Sequence, residues 1–151
     1  MPQNTVIVPY QTPRVVHLAS QVLPGAGAFT NQGVFALPVG CKKVVAYVTY
    51  TRGAANGFPR FQPMLGNGTE ETQGVVVNPS SLDVTTAPPQ GRYNVFMEQI
   101  NGPIPTGAGA ISYSLRFCLD GGYTTFRLLV TEAGVVDTPG TIAIALTTSG
   151  G

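Results

Sequence analysis

Ala110-Ile111-Ser112-Tyr113-Ser114-Leu115-Arg116-Phe117-Cys118-Leu119 decides the fold of this chain. Ile111, Tyr113, Leu115 and Phe117 alternate with Ser112, Ser114, Arg116 and Cys118, and a period of two places one set on each face of a strand. One face is therefore buried and the other is not. The same alternation returns at Thr141-Ile142-Ala143-Ile144-Ala145-Leu146-Thr147. Lys43–Thr51 is apolar on both phases through Val44, Val45, Ala46, Tyr47 and Val48, the pattern of a central strand covered on both sides.

Outward from these anchors, further β-rich runs lie at Arg14–Val22, Val34–Leu37, Phe58–Leu65, Gly74–Asn78, Arg92–Ile100 and Tyr123–Glu132. Turn chemistry separates them. Asp120-Gly121-Gly122 between two strong strands predicts a hairpin, because glycine tolerates the positive φ that tight turns need. Gly66-Asn67-Gly68, Pro88-Pro89-Gln90-Gly91, Asn101-Gly102-Pro103 and Thr138-Pro139-Gly140 mark other reversals. No span offers a capped helical repeat of useful length. The expected fold is all-β: a two-sheet sandwich, jelly-roll-like, with residues 24–33 and 79–91 as candidate crossovers between sheets.

Residues 1–13 stand apart as an extended Pro-rich N-terminal arm, with 14–151 as the sandwich domain. Pro2, Pro9 and Pro13 rule out a helix there and weaken an inner strand. Val6, Ile7, Val8 and Tyr10 are too apolar for a solvated tail, so a neighbouring subunit is the expected cover. Extended, the thirteen residues span about 40 Å.

Chemistry is scarce. Charged residues make up 10% of the 151 positions, against about a quarter in an ordinary soluble domain. Net charge is +1, and only Lys42 and Lys43 are adjacent bases, so no basic stripe recruits nucleic acid. Near-neutral charge with 43% hydrophobic residues favours an obligate assembly. No apolar run approaches the roughly 20 residues of a membrane helix, and Met1-Pro2-Gln3-Asn4 has no basic leader signature, so neither membrane nor secretion is expected. Asn67-Gly68-Thr69 fits a glycosylation sequon and reads as a turn. Cys41 and Cys118 read as small buried hydrophobes, with their pairing left open.

The only imidazole, His17, lies in an apparent strand, with Val15, His17 and Ala19 on one face and Val16, Leu18 and Ser20 on the other. No nucleophile or orienting acid is near it in sequence, so its reading is structural or interfacial. One His and two separated Cys give no zinc spacing. Gly25, Gly27 and Gly107-Ala108-Gly109 lack the Gly-Lys-Ser/Thr that completes a phosphate loop. Glu132 is the acid of most interest: at the end of an apolar strand it can accept backbone hydrogen bonds or pair with an arginine. The residues point to no enzyme, no catalytic set, no cofactor and no metal.

Two stretches carry a resemblance. Residues 46–61, Ala-Tyr-Val-Thr-Tyr-Thr-Arg-Gly-Ala-Ala-Asn-Gly-Phe-Pro-Arg-Phe, and residues 126–134, Phe-Arg-Leu-Leu-Val-Thr-Glu-Ala-Gly, with 138–147 behind them, resemble head decoration (cement) proteins of tailed bacteriophages, the thermophilic-phage type. The resemblance spans about residues 14–148. It implies a jelly-roll-like homotrimer on the outer capsid surface of the virion, made in the host cytoplasm and clamping subunits of the major capsid protein. It brings no catalytic residues. The Glu and Lys enrichment of hyperthermophile proteins is missing, so stability must come from packing and intersubunit burial. Other functions compatible with such a sandwich are a tail or baseplate structural protein and a glycan- or ligand-binding module.

Overall fold

A computed structural model describes residues 10–24, 27–53, 56–66, 100–119, 123–134 and 137–150. Nine strands form in these residues: β1 (Tyr10–Gln11), β2 (Val15–Val22), β3 (Phe35–Ala36), β4 (Cys41–Thr51), β5 (Gly57–Gly66), β6 (Ile100–Asn101), β7 (Ile111–Cys118), β8 (Thr125–Gly134) and β9 (Thr141–Gly150). There is no helix among them, and all ladders are antiparallel. The candidate strand at 74–78 and most of that at 92–100 lie outside the described residues, as do Val6, Ile7 and Val8 of the arm and the crossover at 79–91.

The strands divide into two sheets. β9, β4 and β7 follow one another in the first, with β1 and β2 both on the far side of β9; the second runs β3-β8-β5-β6. β4 lies between β9 and β7, a central strand as expected, but it is not covered on both sides: Val45 and Tyr47 on its outer face are only half-buried and Thr49 is exposed. Residues 24–33 do carry the chain from one sheet to the other, between β2 and β3.

The hairpin expected at Asp120–Gly122 is not formed. β7 pairs with β4 in one sheet, and β8 pairs with β5 and β3 in the other, so the two strands do not pair with each other; Asp120, Gly121 and Gly122 themselves lie outside the described residues. Strong flanking strands and glycines specify two neighbouring strands. They do not specify which strand each one pairs with.

Alternation builds the core as expected. Val44, Ala46, Val48 and Tyr50 of β4 and Ile142, Ile144 and Leu146 of β9 point inward. They meet Phe61 of β5 and Phe126, Leu128 and Val130 of β8. Each buried Val, Leu, Ile or Phe among them contributes about 1.5–3 kcal/mol by leaving water. Aromatic pairs tie the sheets together: Phe117 and Phe126 lie 5.2 Å apart by ring centroid, and Phe61 meets Tyr113 edge-on at 6.3 Å.

Edges are shaped by specific residues. Gly102 N–H donates to Pro59 C=O, so the backbone polar groups of Pro59 face β6 rather than β8. The missing proline N–H therefore costs nothing in the long β5–β8 ladder. On the opposite side, β2 shifts register against β9 between Val16 and Leu18 and again between Leu18 and Gln21. These irregularities overturn the simple alternation expected around His17. Val16 now pairs with Ala145 while Leu18 pairs with the inward Ile144, so the two face opposite ways.

Candidate functional site

Polar groups inside the sandwich converge on β8. Glu132, 8% exposed near its end, accepts the Gly140 N–H at 3.0 and 3.1 Å and the Tyr50 hydroxyl of β4. The backbone hydrogen bond is the role read for this acid from sequence; its side-chain partner is a tyrosine. Burial, then the hydrogen bond to Glu132, holds the Tyr50 phenol well above its ordinary range. Glycines make room for the carboxylate: a Cβ on Gly57 would lie 2.8 Å from Oε2, and one on Gly140 2.9 Å. Nothing in this arrangement offers a nucleophile beside a base. It fastens the segment before β9 to both sheets.

His17 bridges the sheets at the other side. From β2 it reaches β8, where the Leu128 N–H donates to Nε2 at 3.1 Å. The ring lies between Phe35 and Phe126 at 6.3 and 6.4 Å. Burial, aided by the Arg127 guanidinium, lowers its pKa to about 4, so the ring is neutral and free to accept. The neighbouring edge of β8 is completed by Thr30: its N–H donates to Val130 C=O at 2.9 Å and its hydroxyl accepts the Val130 N–H at 3.1 Å. The histidine is thus a structural bond between sheets, closing a ladder that two-residue β3 leaves open.

Among the described residues, no group of three His, Cys, Asp or Glu could hold a metal ion. Cys41 is buried and donates to Lys43 C=O, whereas Cys118 is exposed, contrary to the buried reading, because it takes the outward phase of β7. Both thiols are free.

Surfaces offer more than the interior. Val15, Val16 and Val22 of β2 are 44, 69 and 60% exposed. Beside them Tyr10, a residue of the predicted arm, pairs with Gly150 as part of β1, and Thr12 continues that edge through hydrogen bonds with Thr148. On the outer face of the five-stranded sheet, Arg14 reaches across β9 and lies 3.6 Å over the Tyr47 ring. Ala145, in register between Val16 and Tyr47, is small enough to allow the crossing. Neither the Tyr50–Glu132 bond nor this stack is signalled in sequence, since 82 and 33 residues separate the partners. The one usable sign was Tyr50 itself, a hydroxyl on the buried phase of β4.

Searches of known protein families, curated proteins and solved structures found no match to this chain.

Proposed function

We propose that the protein is a structural component of a virion, working without catalysis or cofactor as a decoration protein on the outer capsid surface of a tailed phage. In this reading the sandwich is a jelly roll, residues 1–13 act as an arm, and a homotrimer clamps subunits of the major capsid protein. The order of the described strands supports the jelly roll: β2-β9-β4-β7 against β3-β8-β5-β6, with successive strands changing sheet except between β1 and β2 and between β5 and β6. Viral capsid domains are among the proteins built this way.

One observation carries the assembly reading. The exposed valines of β2 sit on the sheet edge that begins where the arm ends, next to β1. A contact made there by Val15, Val16 and Val22 hides apolar surface that a free monomer leaves in water, and in this reading Val6, Ile7 and Val8 of the arm join the same contact. Cyclic symmetry repeats that contact in every subunit, and several weak contacts on one capsid add through effective concentration.

The test has two parts. Light scattering at several concentrations is expected to give a persistent trimer mass. Purified protein is expected to bind expanded heads lacking it and to raise their resistance to heat. A monomer at all concentrations, or saturable binding to cell-surface polysaccharide with no effect on heads, overturns the reading.

A further inference from the structure

The outer face of the five-stranded sheet combines a floor of small residues with a cluster of three cations. Inward packing of Val44, Ala46, Val48 and Tyr50 turns Lys43, Val45, Tyr47 and Thr49 outward, and the same logic turns out Ser112, Ser114 and Arg116 of β7 and Ala143 and Ala145 of β9. Thr49 and Ser112 hydroxyls sit 3.2 Å apart on this surface. Tyr47 pairs with Ser114 and Val45 with Arg116, so Arg116 is the diagonal neighbour of Tyr47; Lys43, opposite Cys118, is in turn diagonal to Arg116. Diagonal neighbours on adjacent strands lie about 7–8 Å apart. The guanidinium of Arg14 on Tyr47, Arg116 opposite Val45 and Lys43 at the far side of Val45 therefore form a triangle of cations around Val45. Among the described residues, the carboxylates are elsewhere: Glu132 is buried in the interior and Asp137 lies in the connection before β9.

We propose that this face is a docking surface for a carboxylate-rich protein surface, received by Arg14, Arg116 and Lys43. The Arg14 guanidinium carbon lies 3.6 Å from the Tyr47 ring centroid, and a guanidinium resting on a ring can still receive a carboxylate through two hydrogen bonds from its edge. The serine, threonine and alanine floor lets a partner backbone come close and offers hydroxyl donors. A second copy does not stack face to face here, because like charges would meet. The identity of the partner as a capsid subunit rests on the decoration reading; the carboxylate chemistry does not.

Fluorescence anisotropy with a labelled poly-L-glutamate of about 20 residues tests the surface in the full-length protein. Binding is expected to weaken as NaCl rises from about 50 to 300 mM. The variant carrying Arg14→Gln, Lys43→Gln and Arg116→Gln is expected to bind at least about tenfold more weakly, with Arg60→Gln on the other sheet within about twofold of wild type. If the triple variant does not fold, Lys43→Gln and Arg116→Gln singly are expected to lose about two- to threefold each. Equal binding by the cation variants, an equal loss from Arg60→Gln, or equally tight binding of an oligo-dT of matched charge overturns the proposal. Head binding separates the two readings. Heads bound equally by wild type and triple variant overturn this surface alone, whereas the expected glutamate pattern without head binding overturns the decoration reading alone.

Discussion

Tyr50 and Glu132 face each other across the interior of the sandwich, one on each sheet, joined by a hydrogen bond from the phenol to the carboxylate. The same carboxylate holds the Gly140 N–H, so a single side chain links β4, β8 and the start of β9. Tyr50→Phe is expected to lower stability by about 1–2 kcal/mol, and Glu132→Ala by about 3 kcal/mol, because the second change strands a buried hydroxyl and a buried N–H and leaves a void. Urea unfolding checks this: the midpoint should fall in that order with little change in slope.

Glycines around this bond tolerate no side chain. A Cβ on Gly53 would fall 1.8 Å from the Thr138 carbonyl oxygen, whereas Gly109 has open space about it. Gly53→Ala is expected to cost about 2 kcal/mol or more, and Gly109→Ala to be neutral or stabilising by a few tenths of a kcal/mol. The two melting temperatures, measured side by side, decide it.

His17 makes stability depend on pH. It titrates near pH 4 in the folded chain against an ordinary value of 6.5, so the unfolded chain binds its proton more readily across that interval. Stability is therefore retained above pH 6.5 and lost as pH falls towards 4, by about 2 kcal/mol after allowing for the partial exposure of the ring. His17→Gln keeps an acceptor for the Leu128 N–H without a titrating ring. Its stability is expected to vary less than that of wild type over the same range, measured by urea midpoints at half-unit steps of pH.

Deleting residues 2–9 removes Val6, Ile7 and Val8 but spares Tyr10 and Gln11, which pair with β9. The shortened protein is expected to melt within a few degrees of wild type while forming a weaker oligomer and binding heads less tightly. An unchanged mass on dilution together with unchanged head affinity contradicts a role for the arm.

The two thiols are expected to separate cleanly. Cys118 on the outward face of β7 should react with a thiol reagent in the native protein, and buried Cys41 only after unfolding. Titration should give one equivalent per chain in buffer and two in denaturant.

What the chain wrote locally was the strands. Alternation in 111–118 and 141–147, the doubly apolar 43–51 and the run at 58–65 marked their existence, their buried phase and the all-β class, because a side-chain period of two is a property of neighbouring residues. The structural role of Glu132 was legible for the same reason: an acid closing an apolar strand has few other uses. Partner choice was not. Asp120-Gly121-Gly122 read as a hairpin, yet the strands on either side do not pair, since β7 finds β4 and β8 finds β5 through contacts distant in sequence. Only tertiary packing bent β2 at its register shifts, brought His17 onto the backbone of β8 and laid Arg14 on Tyr47. Those bonds satisfy polar groups that exist only once two sheets have met, and no local pattern encodes a partner a hundred residues away.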